Sequence, residues 1–184
     1  MGPASFRVVL DANVLFPFTL RDTLLRAAAM GYFQALWSAE ILDEATRNLV
    51  DTGRMNEEQS TRLTTAMHRS FPEALVENYE SLIPSMPNQE KDRHVAAVAV
   101  KANAEVIVTS NLKDFQELPP GIEAQSPDEF LVDLLDLAPM EMLALLEQQA
   151  KALKNPPVDL EELLIGLSTA APRFVEQVRK LRTA

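Results

Sequence analysis

Two short apolar runs that each end in polar residues decide the fold: RVVLDAN at residues 7–13 and EVIVTSNLKDF at residues 105–115. The first run stops at Asp11, and the second gives way to Ser110 and Asn111. Short continuous apolar runs of this kind are typical of strands that are buried on both faces. We therefore predict two buried strands with polar residues at their carboxyl ends.

Helices are predicted between and beside these strands. The predicted helices cover residues 20–30, 39–50, 56–70 and 91–102, and further predicted strands cover residues 33–37 and 122–125. Asn56 and Gln59 have the spacing of a capping box at a helix start. Because short apolar strands alternate with amphipathic helices, we predict a three-layer α/β domain with a mostly parallel central sheet.

The sequence after residue 135 has the character of pure helix. One predicted helix there carries an apolar stripe at i, i+3 and i+4 spacing: Met142, Leu145, Leu146, Ala150 and Leu153. Gln149 interrupts the stripe, and prolines at 156 and 157 break the helix. Shorter helices are predicted at residues 160–167 and 172–181. We expect a helical C-terminal extension over residues 136–184, with its stripe packed on the domain or on a second copy of the chain.

Composition places the chain among ordinary globular proteins. Its 184 residues suffice for one α/β domain, and its hydrophobic content is 47%. The absence of cysteine excludes disulfides and thiolate zinc sites and fits a reducing compartment. The sequence contains neither a recognisable secretory leader nor an apolar run long enough to span a bilayer. We therefore expect a cytoplasmic protein with no membrane contact.

The charge of the chain limits its partners. A formal net charge of −10 is unfavourable for a protein that grips nucleic acid, because phosphate binding is normally driven by lysine and arginine. Two arrangements remove this objection. Part of the negative charge can belong to a metal site, where bound cations reverse the local field, and part can face a basic partner protein.

Acidic residues follow both predicted central strands. Asp11 comes directly after the first strand, and Asp114 lies a few residues after the second. Ligands of open parallel α/β sheets bind beyond the carboxyl ends of the strands, where the strand order reverses. Either aspartate alone could be a turn residue or a helix cap. Together they predict two carboxylates that converge at one edge of the sheet.

Two further acids lie on predicted helices. On a helical wheel Glu44 lies at the edge of the apolar face of its helix, whereas Glu40 and Asp43 point farther toward solvent. Asp92 lies at the start of a later helix, on the side that faces the packed interior. His94 points away from Asp92 on that helix, so we interpret it as a structural or surface histidine. Glu44 and Asp92 are the acids we expect to join the site.

These motifs together resemble the PIN domain, and in particular its VapC-like branch of toxin ribonucleases. The resemblance rests on residues 8–13, 38–44, 92–99 and 106–115 and covers residues 6–131. It implies a parallel sheet flanked by helices, with a nuclease domain over residues 1–135. It also implies that four acids bind one or two Mg²⁺ or Mn²⁺ ions and cut RNA: Asp11, Glu44, Asp92 and Asp114.

The resemblance assigns supporting roles to polar and basic neighbours of these acids. Asn13 and Asn111 stand where the family often has small polar residues that support the site, and some members carry an aspartate at the second of these positions. Arg47, Arg93 and Lys113 are close enough in sequence to the acids to be candidate phosphate contacts. A carboxylate cluster without cysteine or histidine suits Mg²⁺, which prefers oxygen ligands.

Several functions fit this pattern. The first is the toxin of a toxin–antitoxin pair, whose antitoxin covers the acidic pocket, often with a basic side chain. The second is a nuclease of RNA processing without an antitoxin, and the third is a catalytically silent module that binds protein or RNA. Phosphoryl transfer through an aspartyl phosphate also uses an aspartate after the first strand, but Asn13 stands where such hydrolases carry a second aspartate.

Overall fold

The computed structural model describes residues 6–183, and a four-stranded parallel sheet forms the centre of that region. The strand order is β2-β1-β3-β4. The strands are β1 (Arg7–Leu10), β2 (Gln34–Leu36), β3 (Val106–Val108) and β4 (Glu123–Gln125). All three pairings are parallel. The two central strands, β1 and β3, consist almost entirely of buried valine, isoleucine and leucine because helices cover both faces of the sheet.

Helices make up most of the remaining described chain. Those before β4 are α1 (Ala12–Leu15), α2 (Phe18–Ala29), α3 (Ala39–Asp51), α4 (Glu57–Ser70) and α5 (Arg93–Ala102). Those after it are α6 (Pro127–Leu137), α7 (Pro139–Ala152), α8 (Leu160–Leu167) and α9 (Pro172–Thr183). Short 3-10 turns occupy residues 80–85, 90–92 and 112–115. Over residues 6–183, every helix is too short or too polar to cross a lipid bilayer.

The order of the strands in the sheet reverses at β1: the chain first adds β2 on one side of β1 and then returns to add β3 on the other side. Because of this reversal, helices cover both faces of the sheet, which gives three layers. β2 lies on one side of β1 and β3 on the other, so right-handed crossovers carry the two connections over opposite faces of the sheet. α5 packs against β1 and β3, whereas α2 packs against β2 and α6 against β4. The predicted three-layer α/β fold is confirmed. The crevice between the carboxyl ends of β1 and β3 is its topological switch point.

Most predicted elements are present with adjusted ends. The capping box at Asn56 and Gln59 is formed in both directions. The strand predicted at residues 33–37 is shorter, because Trp37 leaves the sheet and pairs with Leu75 in an isolated bridge. The helix predicted from residue 91 begins as a 3-10 turn and becomes α-helical at Arg93. The short helix α1 was not predicted, because four residues are too few for a periodic pattern.

The C-terminal helices share the hydrophobic core of the sheet region. Leu145 and Leu146 in α7 are buried, as predicted from the apolar stripe, and α7 packs against α2 and α6. Gln149 is fully buried, and its amide accepts a hydrogen bond from the Thr23 hydroxyl at 2.9 Å. The buried amide thus has a partner on α2. Gln149, which interrupts the apolar stripe, therefore links α7 to α2 by a hydrogen bond.

Candidate metal centre

Asp11 lies directly after β1 and forms the N-cap of α1. Its Oδ1 atom accepts a hydrogen bond from the backbone N–H of Ala12 at 2.8 Å. Its Oδ2 atom accepts hydrogen bonds from the Thr109 hydroxyl at 2.7 Å and from the Asn13 amide at 2.9 Å. Asp11 is 4% exposed, so these donors hold a nearly buried carboxylate in one orientation.

The segment after β3 is hydrogen-bonded to the start of α1, which follows β1. The backbone N–H of Ser110 donates to Oδ1 of Asn13 at 2.9 Å, and that of Asn111 donates to the Thr109 hydroxyl at 3.1 Å. The Asn111 side-chain amide donates to Oδ2 of Asp114, within the 3-10 turn that follows. Asn13 and Asn111 therefore each donate a hydrogen bond to an acid, and their role in supporting a metal site stays a prediction.

Asp92 and Asp114 both lie within ion-pair distance of Lys91. The Nζ atom of Lys91 lies 2.7 Å from Oδ2 of Asp114 and 3.7 Å from Oδ2 of Asp92. Asp114 is buried and Asp92 is half-buried. Both acids thus share one ammonium group at the edge of the sheet.

The electrostatics of the cluster reflect burial and crowding. Burial raises the pKa of Asp11, and the charge of Glu44 adds to this rise, while the bond from Thr109 opposes it. Burial also raises the pKa of Asp92, with a further contribution from the charge of Asp11. The hydrogen bond from Lys91 lowers the pKa of Asp114. The centre therefore consists of like charges held together at an electrostatic cost.

The acids on α3 lie at the edge of this cluster. Glu44 is exposed, although its charge acts on Asp11 because α3 packs against α1. Glu40 accepts a hydrogen bond from the Tyr79 hydroxyl at 3.2 Å and lies 3.6 Å from Nδ1 of His94. His94 is buried. The structure therefore pairs Asp92 with Asp114 through Lys91, places Asp11 where its charge acts on Asp92, and leaves the Glu44 side chain exposed.

The three basic candidates differ in position. Arg93 and Lys113 line the same cavity as Asp114. The Nε atom of Arg93 donates to the backbone carbonyl of Asn88 at 3.1 Å, which fixes the guanidinium beside the cluster. Arg47 is exposed on α3, one turn beyond Glu44. All three remain candidate phosphate contacts, with Arg93 held most firmly.

The donor atoms suit a hard divalent cation. All of the clustered acids offer carboxylate oxygens, the ligands that Mg²⁺ and Mn²⁺ prefer. Oδ2 of Asp92 is buried and has no hydrogen-bond partner within residues 6–183, and an orphaned carboxylate oxygen of this kind favours a cation. In the same residues, no group of three or more acids or histidines is already close enough together to hold an ion. The ammonium of Lys91 contacts two of the acids in this arrangement.

Two residues of the centre were not predicted from the sequence. Thr109 is fully buried and bonds to Asp11, and its position directly after a predicted strand was the available signal. Lys91 precedes Asp92 in the chain, and its place in the centre follows from the turn at residues 90–92. A lysine beside an acid is too common in sequences to indicate such a contact alone.

The fold and this cluster define a class: α/β proteins with carboxylates gathered at the switch point of a parallel sheet. Residues 7–113 match the family model described as PIN domain, and residues 127–180 match that described as VapC50 C-terminal domain. A curated protein of Mycobacterium tuberculosis, named "Putative ribonuclease VapC50", is 40% identical over 131 residues, which cover 70% of this chain and 77% of that protein. The chain belongs to the PIN-domain family, in its VapC-like branch.

Proposed function

We propose that the protein is a metal-dependent endoribonuclease that hydrolyses RNA phosphodiester bonds. The observation that carries this proposal is that Asp92 and Asp114 share the Lys91 ammonium at the switch point of a PIN-domain sheet, where the charge of Asp11 also acts on Asp92. The name of the similar mycobacterial protein describes a ribonuclease, which supports the same activity. The proposed substrate is therefore RNA.

Four acids are proposed to hold one or two Mg²⁺ or Mn²⁺ ions: Asp11, Glu44, Asp92 and Asp114. Such an ion, when bound, supplies positive charge that makes water a better nucleophile and neutralises the phosphoryl oxygens. Oδ2 of Asp92, buried and without a hydrogen-bond partner among residues 6–183, is the atom that most favours such a charge. Glu44 lies at the rim, where its exposed side chain has the freedom to close on the site.

The chain's own residues prepare the site in two further ways. Thr109 and Asn13 fix the orientation of the Asp11 carboxylate, so little reorganisation is required during the reaction. Arg93 and Lys113 lie beside Asp114 and are proposed to bind phosphates of the RNA backbone, with Arg47 as an outer contact. These cations offset the repulsion between a polyanion and an acidic protein.

The biological role proposed is that of a toxin held by an antitoxin. The net charge of −10 suits a basic partner, and the pairing of Lys91 with two acids illustrates how one cation can occupy this cluster. An antitoxin side chain would act at the same carboxylates. Association between two copies of the chain, and location in the cytoplasm, stay predictions. A nuclease of RNA processing would share the chemistry and lack this partner.

Cleavage of end-labelled single-stranded RNA by the purified protein tests the proposed activity. Internal cuts are expected with Mg²⁺ or Mn²⁺ and not with excess chelator. Asp11→Asn is expected to lower the rate by at least about tenfold, since about 1.4 kcal/mol of transition-state stabilisation corresponds to that factor. Asp43→Asn removes an exposed charge of the same sign on α3 and is the matched control. A folded protein that cuts no RNA with either ion would contradict the proposal and favour a silent binding module.

A further inference from the structure

A cavity of about 370 Å³ opens beside Asp114. Its walls come from the loop at residues 87–90 and from the segment at residues 113–117. Cavities that bind small molecules have volumes of roughly 300–1,000 Å³. The volume beside Asp114 therefore suits a single nucleotide unit and is too small for a longer stretch of RNA.

Hydrogen bonds between the two walls hold this cavity in shape. The backbone N–H of Gln89 donates to the carbonyl of Asp114 at 3.2 Å, which joins the loop to the 3-10 turn. Arg93 donates to the carbonyl of Asn88 at 3.1 Å from the start of α5. The cavity is thus built on the same two segments that position Asp92 and Asp114.

The polar lining of the cavity includes an amide without a partner. Asn88 is 5% exposed, and neither its Nδ2 nor its Oδ1 atom has a hydrogen-bond partner within residues 6–183. A buried amide left without partners is costly, and the Nδ2 and Oδ1 atoms of Asn88 are closed to solvent, so the side chain gains both hydrogen bonds only when it turns toward a molecule in the cavity. Gln89 and Gln116 place two more amides on the lining, and these are exposed.

We propose that this cavity binds the unstacked base of the nucleotide next to the scissile phosphate. This inference rests on the proposed ribonuclease function. Sequence-specific recognition of RNA reads splayed single-stranded bases through their hydrogen-bonding edges, and side-chain amides are well suited to that contact. Arg93 and Lys113 lie on the same lining, where they can bind the phosphate that follows the base.

The lining also indicates which bases fit. Glu90 and Glu117 add two carboxylates, which only accept hydrogen bonds when ionised. With Arg93 and Lys113 assigned to the phosphate, the side chains left for the base are amides, which both donate and accept, and carboxylates, which only accept. This set favours bases that carry an exocyclic amino group. Adenine, cytosine and guanine have that group, whereas uracil lacks it. We expect uracil to be the disfavoured base at one position beside the cut.

Sequencing the ends of RNA fragments from a randomised substrate tests this base preference. The wild-type protein is expected to disfavour uracil at one position flanking the cut by at least about fivefold, the lower end of discrimination by a good side-chain contact to a base. Gln116→Ala and Glu117→Gln are expected to reduce that preference, whereas Gln148→Ala, an exposed glutamine on α7, leaves it unchanged. Cleavage with the same preference in all variants would overturn the cavity's role and leave the proposed function intact.

Titration with nucleoside monophosphates in chelator tests the cavity without any cleavage. AMP, GMP and CMP are expected to bind more tightly than UMP, and Asn88→Ala is expected to weaken all three. Because the Asn88 amide has no partner, that variant is expected to unfold at the same or higher denaturant concentration. Equal binding of all four nucleotides, or binding that Asn88→Ala and Gln116→Ala leave unchanged, would overturn the inference. Protein that binds amino-bearing nucleotides but cuts no RNA would overturn the proposed function alone.

Discussion

The Nζ atom of Lys91 lies 2.7 Å from Oδ2 of Asp114, and the same ammonium is 3.7 Å from Oδ2 of Asp92. The contact raises the pKa of Lys91 and lowers that of Asp114, so both groups stay charged over a wide pH range. The site therefore carries a cation of its own, attached to the chain. A divalent ion that binds these acids must compete with it or displace it.

Replacing Lys91 by methionine is expected to tighten the binding of Mn²⁺. The substitution removes one positive charge next to two proposed ligands and keeps the length of the aliphatic chain. Because Lys91 is largely exposed and screened by solvent, we expect an increase in affinity of about threefold to fivefold. Calorimetric titration in the absence of RNA measures the change. Lys113→Met, at an exposed lysine next to Asp114 in the chain, is the control. Weaker binding in Lys91→Met would mean that the lysine helps to organise the ligands.

Replacing Thr109 by valine is expected to destabilise the metal-free protein by about 1–2 kcal/mol, since Oδ2 of the nearly buried Asp11 loses its 2.7 Å hydrogen bond while the side-chain shape is kept. The pKa of Asp11 is expected to rise further, because the hydroxyl lowers it. Urea unfolding in chelator and NMR titration of Asp11 measure the two effects. Thr61→Val, at an exposed hydroxyl bonded to a helix carbonyl, should change neither. An unchanged Asp11 pKa in Thr109→Val would exclude this role.

Replacing Leu146 by aspartate is expected to lower the unfolding free energy by at least about 3 kcal/mol, because a charge without a partner would enter the core. Leu146 is fully buried on α7 and belongs to the core that the C-terminal helices share with the sheet. Ala144→Asp introduces the same charge on the exposed side of α7 and should have little effect. Thermal unfolding with both variants measures the difference. Equal melting temperatures would show that α7 packs loosely against the sheet region.

Local patterns in the sequence predicted the elements and the acids that they carry. The apolar run before Asp11 and the polar residues after Val108 follow from strand burial, which is a local property of the chain. The interior side of α5 and the capping box at Asn56 are equally local. For this reason the parallel sheet, the helices on both faces and the order of the acids could all be predicted.

Contacts between distant segments could not be predicted in this way. The bond from Thr109 to Asp11 joins residues 98 positions apart, and no periodicity encodes it. Glu40 is exposed, as the helical wheel predicted, but the hydrogen bond that it accepts from the Tyr79 hydroxyl joins residues 39 positions apart and was not predicted. The division of the chain after residue 135 stays a prediction, and that position falls in the last turn of α6.

Replacing Asp92 by asparagine is expected to preserve or increase the stability of the metal-free protein at neutral pH. Burial and the charge of Asp11 raise the pKa of Asp92, so its ionisation opposes folding. A group with a raised pKa in the folded state contributes stability below its unfolded pKa, and this is lost as the pH rises through the folded value. The ordinary pKa of an aspartate is about 4. As the pH rises from there toward neutrality, the free energy of unfolding should therefore fall less in the variant than in the wild type. Urea unfolding in chelator across this range measures the effect.

The same Asp92→Asn variant is expected to bind Mn²⁺ less tightly and to cut RNA at least about tenfold more slowly, because it keeps the shape of the side chain and loses a ligand charge. Asp43→Asn removes an exposed acid on α3 and is the matched control. Glu40 is unsuitable for that purpose, since Tyr79 binds its carboxylate. If only the net charge of the protein mattered, both substitutions would change cleavage equally. If Asp92 belongs to a metal-binding centre, only Asp92→Asn slows cleavage. A variant that unfolds easily in chelator would make Asp92 a structural residue, and full residual cleavage would remove it from the site.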